Sequence, residues 1–156
     1  MNKELQYIIA TLMDVLEGEP WYGSSAYRIL SEVNPSKAFE KPGENTHSQI
    51  ELLYHMIAWA RFTEECLLSH RSSDPDQSNA MDWPKIDPSV HSWKDGMDRF
   101  KSVHSSILMI LEKKEDFILD EKLSIKPYNF RFLFDGMIQH IIYHIGQLAY
   151  LNKLLG

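Results

Sequence analysis

Apolar residues recur at every third or fourth position through four long segments of this chain, and no segment shows the strict alternation of a half-buried strand. That period admits only amphipathic helices packed on one another. The spacing predicts helix one over residues 3–17, with Leu5, Ile9, Leu12 and Leu16 on one stripe and Gly18 and Pro20 ending it. Helix two is expected over 48–69, opened by Thr46 or Ser48 as cap, with Ser48 and Glu51 in capping-box register. Helix three is expected over 90–114 on the stripe Trp93, Met97, Phe100, His104, Ile107 and Leu111, and helix four over 129–155. The intervening stretches are broken by proline and glycine. Residues 21–45 hold one short helix near 25–33, residues 71–89 form a polar loop, and residues 115–127 form a second loop. Four long helices in 156 residues make an all-α four-helix bundle, a single domain over 1–156. The connection after helix one is long enough to cross the end of the bundle. A chain of this size buries roughly two-thirds of its unfolded surface and needs no covalent staple.

Charge and cysteine usage narrow the function classes. The formal net charge is −6 and no basic stripe is visible, which disfavours a nucleic-acid partner. No apolar run is long and charge-free enough to span a bilayer, and residues 1–4 lack the features of a secretory signal. The single cysteine, Cys66, permits no intrachain disulfide and reads as a small core hydrophobe. A cytoplasmic location is the expectation from these features. A homodimer is expected because helix four carries a second apolar face, formed by Phe134, Ile138, Ile141, Ile142, Ile145 and Ala149. The competing account is that the 25–33 helix and the long loops cover that face.

The histidines are out of place on these stripes. His140 and His144 stand one turn apart in the seam Leu133, Met137, His140, His144, Leu148, Leu151 and Leu155. An i, i+4 pair projects from one helix face about 6 Å apart along the axis, which suits two imidazoles chelating one ion. His55 interrupts the helix-two stripe Leu52, His55, Trp59, Phe62 and Cys66, and His104 does the same on helix three. Each is either a core histidine bonded to a nearby oxygen or a ligand to a shared metal. A shared ion would satisfy several buried imidazoles together.

The segment Gln139-His140-Ile141-Ile142-Tyr143-His144-Ile145-Gly146-Gln147 resembles the QHxxYHxGQ signature of the DinB/YfiT-like metal-dependent enzyme superfamily. The segment from His47-Ser48 through Glu51-Leu52 and His55 to Trp59 is similar to that family's HSxxELxxHxxxW pattern, and Trp21-Tyr22-Gly23 matches a preceding WxG element. The resemblance implies a dimeric four-helix bundle with a divalent ion on His55, His140 and His144. It also implies, at the level of characterised relatives, transferases and an isomerase that depend on low-molecular-weight thiols such as bacillithiol or mycothiol. Three imidazoles leave a coordination position open, as catalytic zinc sites do, and suit zinc, nickel, iron or copper, with zinc or nickel expected.

Four further residues carry paired readings. Glu51 either orients His55 or is a solvated capping-box residue. His104 either lines the metal pocket or is a core histidine. Tyr143 and Gln147 either bond a metal-bound ligand or belong to packing. His47, eight residues before His55 and roughly 12 Å away along a helix, is a helix-start residue rather than a ligand. Two functions follow as expectations: a metal-dependent transferase or hydrolase acting on small electrophiles, or a non-catalytic metal-binding, stress-associated interaction protein.

Overall fold

The computed structural model describes residues 2–69, 82–124 and 126–156. Among the described residues, five α-helices run in the order α1 (Lys3–Glu17), α2 (Ala26–Ser31), α3 (Gln49–Ser69), α4 (Trp93–Leu111) and α5 (Phe130–Leu155). Short 3-10 turns lie at Pro35–Lys37 and Asp116–Asp120. Among the described residues there is no β-strand, only an isolated bridge between Lys122 and Asn129. The expected helical bundle is therefore observed, with the first helix as expected, those expected at 48–69 and 129–155 starting one residue later, and the one expected at 90–114 shorter by three residues at each end. Most of the polar loop expected over 71–89 lies outside the described residues.

Local chemistry sets the helix starts. Ser48 and Glu51 form the capping box of α3, the Ser48 backbone N–H donating to the Glu51 carboxylate at 2.8 Å. Ser92 accepts from the Asp95 N–H at the start of α4, and Asn129 accepts from the Phe132 N–H at the start of α5. The N-terminus of α1 is capped from a distance. The Asp116 carboxylate, in the second 3-10 turn, accepts from the Leu5 N–H at 2.9 Å. A negative charge there also suits the positive end of the helix.

The long helices pack with α3 against α4 and α5, and with α1 against α5 and, lightly, α4. α1 and α3 thus occupy opposite corners. The connection between them carries the chain across the bundle end, as its length suggests. The predicted stripes face inward: Leu5, Ile9, Leu12 and Leu16 of α1, Phe100, Ile107 and Leu111 of α4, and Leu133, Met137, Leu148 and Leu151 of α5 are all buried. Gly96 of α4 packs closely on α3: a Cβ there would stand 2.7 Å from the Leu53 Cδ2 and 3.0 Å from the Tyr54 ring, so a larger residue would require those side chains to move.

The second apolar face of α5 is absorbed within the same chain. Phe134, Ile138, Ile141 and Ile145 are buried, with α1 and α2 packed on α5. Ile142 and Ala149 lie partly buried against the core. The sequence-based reason for a homodimer is thus accounted for inside one chain, and pairing rests on the resemblance alone. No helix among the described residues is long and apolar enough to cross a membrane.

Candidate metal centre

Packing α3 against α5 brings His55 opposite His140 and His144. Inward-facing apolar residues fix the azimuth of each helix, so the histidines that replace them in the seam must point inward too. His55 and His144 are buried, 4% and 5% exposed, and His140 is half-buried. The Nε2 atoms converge: His140 Nε2 lies 2.9 Å from His55 Nε2 and 3.1 Å from His144 Nε2. The potential ligand atoms of all three lie within 4.8 Å of one another, and among the described residues this group could hold a metal ion.

The outer nitrogens decide which protons are present. His55 Nδ1 stands 2.5 Å from the Asp82 backbone carbonyl, which can only accept, so Nδ1 carries the proton and Nε2 presents its lone pair. His144 Nδ1 likewise donates to the Gln147 Oε1 at 2.6 Å, leaving its Nε2 lone pair inward. His140 Nε2 faces both. A proton on it can be donated to only one of the two and leaves the other lone pair unsatisfied, and without that proton three lone pairs face one another. A cation among the three nitrogens resolves that conflict, and oxygen acceptors behind two of the rings are the usual support of metal-bound histidine.

Two of the separations are near those of a metal site: nitrogens bound to zinc at about 2.0–2.1 Å in tetrahedral directions stand roughly 3.3–3.4 Å apart, a few tenths of an ångström beyond the His140–His55 and His140–His144 distances. The electrostatics point the same way. Burial holds the His55 and His144 pKa values below the ordinary imidazole value, against opposing contributions from Asp82 and Gln147. His140 is pushed down to about 3 by burial and by its two histidine neighbours. All three imidazoles are therefore neutral at pH 7, the form that ligates.

The other candidates separate cleanly. Glu51 is the capping-box residue: its carboxylate bonds Ser48 and pairs with Lys41 Nζ at 2.8 Å. The acceptor behind His55 is Asp82. Gln147 supports His144 directly, whereas the Tyr143 ring is 65% exposed and sits edge-on to His144. His104 is fully buried away from the cluster. Its Nδ1 donates to the Phe100 carbonyl at 2.8 Å, and its Nε2 has no partner. Cys66 is buried and its thiol is pushed up to about 11, first by desolvation and then by Glu65, which suits a core residue rather than a nucleophile.

Two residues that matter here were unmarked in the sequence. The Asp82 carboxylate accepts from the Trp59 indole N–H at 2.6 Å while the Asp82 carbonyl holds His55. The next residue, Trp83, lies flat between two imidazoles. Its ring is 3.6 Å from His47 and 3.8 Å from His55, nearly parallel to both. His47 thus reaches the site through the Trp83 stack rather than as a ligand. The one available signal was a tryptophan in an otherwise polar loop. Beside His140 a cavity of about 200 Å³ opens between α3, α5 and Tyr128. No model of a known protein family matches the chain, and no curated protein matches it closely enough to count as a relative.

Proposed function

We propose that this chain is a divalent-metal-binding protein of the DinB/YfiT-like kind whose three-histidine site serves a thiol-dependent transferase or hydrolase acting on small electrophiles. The observation that carries the metal part is the convergence of three Nε2 atoms backed by the Asp82 carbonyl and the Gln147 amide oxygen. A bound divalent ion would lower the pKa of a water or thiol and polarise a substrate oxygen. The chain's own residues hold the ligands neutral and oriented: Asp82 fixes the His55 tautomer, Gln147 fixes that of His144, and Trp83 keeps water from one face of His55. The catalytic part is supported by the cavity that reaches His140. Zinc and nickel are the metals proposed, in a homodimer as the resemblance implies and in the cytoplasm as the single cysteine suggests.

A second reading, a non-catalytic metal-binding protein acting in stress-associated interactions, is favoured by the burial of His55 and His144 and by the Trp83 cover. The experiment that separates them is rate measurement with zinc-loaded or nickel-loaded protein. A panel of low-molecular-weight thiols is combined with a chloro-aromatic or an epoxide acceptor. Acceleration that requires both metal and protein supports the enzyme. No acceleration across the panel, with metal bound, transfers the proposal to the second reading.

A further inference from the structure

The cavity beside His140 has a composition that specifies its occupant. Leu133 and Met137 of α5 and Trp59 of α3 wall it, with Tyr128 and the 63%-exposed Phe132 beside them. Among the described residues that line it there is no Asp, Glu, Lys or Arg. Two of the polar groups at the wall are already engaged, because the Thr63 hydroxyl donates to the Trp59 carbonyl at 3.1 Å and the Trp59 indole N–H is held by Asp82. In the metal-free protein a phosphate or carboxylate would find no cationic side chain in that wall and would lose its hydration without return.

Gly136 keeps the space open. It lies one turn before His140 on the same face of α5, and a Cβ built on it would meet nothing within 4 Å. Glycine weakens a helix interior relative to alanine. At Gly96 the close approach of Leu53 explains its presence, and at Gly136 no neighbour does. Gly136 is half-buried, so the room it leaves lies in the wall of the cavity.

We propose that this cavity is the acceptor pocket of the site, and that it takes an uncharged single-ring aromatic group or an apolar group of similar size, with the reacting atom directed at His140 and the ion it would help to hold. The volume sets the size. An engineered apolar cavity of roughly 150 Å³ accommodates benzene, and this one measures about 200 Å³. The acceptor role rests on the metal reading above, whereas the occupancy does not require a metal.

The test uses the full-length, metal-free protein and fluorobenzene, followed by ¹⁹F NMR, with zinc uptake measured separately on the same preparations. Wild-type protein is expected to give a saturable ¹⁹F shift, and 4-fluorobenzoate a much weaker one. Gly136→Leu fills the pocket and is expected to abolish the fluorobenzene response while zinc uptake stays at the parent level. Gly146→Leu, the same change at an exposed position on the same helix, is expected to retain both. Gly136→Ala, which favours the helix, should weaken the response and serves if the leucine variant loses its circular dichroism. Absence of saturable binding in wild type, or full binding in both Gly136 variants, overturns the pocket. In the wild-type protein, zinc retained without fluorobenzene binding removes the pocket and leaves the metal reading intact, and fluorobenzene bound without zinc retention overturns the acceptor role.

Discussion

His104 should make this protein acid-sensitive, and replacing it with leucine should remove that sensitivity. The imidazole is fully buried on the inner stripe of α4, 4.2 Å from the Phe100 ring, with Nε2 unpartnered. Desolvation lowers its pKa from 6.5 to about 4, with the Phe100 carbonyl opposing weakly. The unfolded chain takes up a proton below roughly 6.5, while the folded chain refuses it until about 4. Stability from this residue is therefore complete above pH 6.5 and is lost as pH falls toward 4. The difference corresponds to about 3 kcal/mol in the limit, a large share of the roughly 5–15 kcal/mol of a typical domain.

At neutral pH the orphaned Nε2 itself costs on the order of 1–3 kcal/mol, which leucine does not incur. The bond lost, to a carbonyl within the same helix, contributes about 1 kcal/mol at most. His104→Leu is thus expected to be neutral or stabilising at pH 7.5 and to gain a further 2 kcal/mol or so on wild type by pH 4.5. Urea unfolding followed by circular dichroism, with chelator present, measures both. The other buried histidines titrate in both proteins and cancel in the comparison. Parallel loss of stability in wild type and His104→Leu between pH 7.5 and 4.5 would refute the desolvation reasoning.

Gln147→Leu removes the acceptor behind His144 and should weaken zinc binding about 10- to 100-fold by competition titration, with Gln147→Glu restoring much of it. Glu51→Ala should lower stability by about 1 kcal/mol through the α3 capping box while leaving zinc affinity unchanged. Because burial holds His55 and His144 low and His140 near 3, protons compete weakly for the site. Zinc release on acidification, followed by a chromophoric chelator, should have its midpoint well below pH 6.5.

Much of this arrangement was legible before any coordinates. The 3.6-residue period gave the long helices because burial fixes helix azimuth, and the same reasoning turned His55, His140 and His144 inward. Spacing could not tell His104 from His55, since both interrupt a stripe in the same way. Only the packing of α3 on α5 brings one to the cluster and leaves the other against Phe100. Spacing left Glu51 between orienting His55 and capping α3; it caps α3, and the acceptor behind His55 is Asp82, brought back from 27 residues downstream where helix spacing has no reach. The apolar second face of α5 suggested a partner chain because a helix pattern reports burial without naming what does the burying. Here α1 and α2 bury most of it.

The central claim is that His55, His140 and His144 form one divalent-metal site. The most direct measurement is metal stoichiometry, by elemental analysis, of protein purified without a nickel column, loaded with zinc and dialysed against a weak chelator. Single alanine variants at His55, His140 and His144 are each expected to lose most of the bound zinc while keeping their helical circular dichroism, because the apolar stripes remain. His47→Ala and His104→Ala are expected to hold zinc near the parent level. Full zinc retention in two of the three ligand variants would contradict the account.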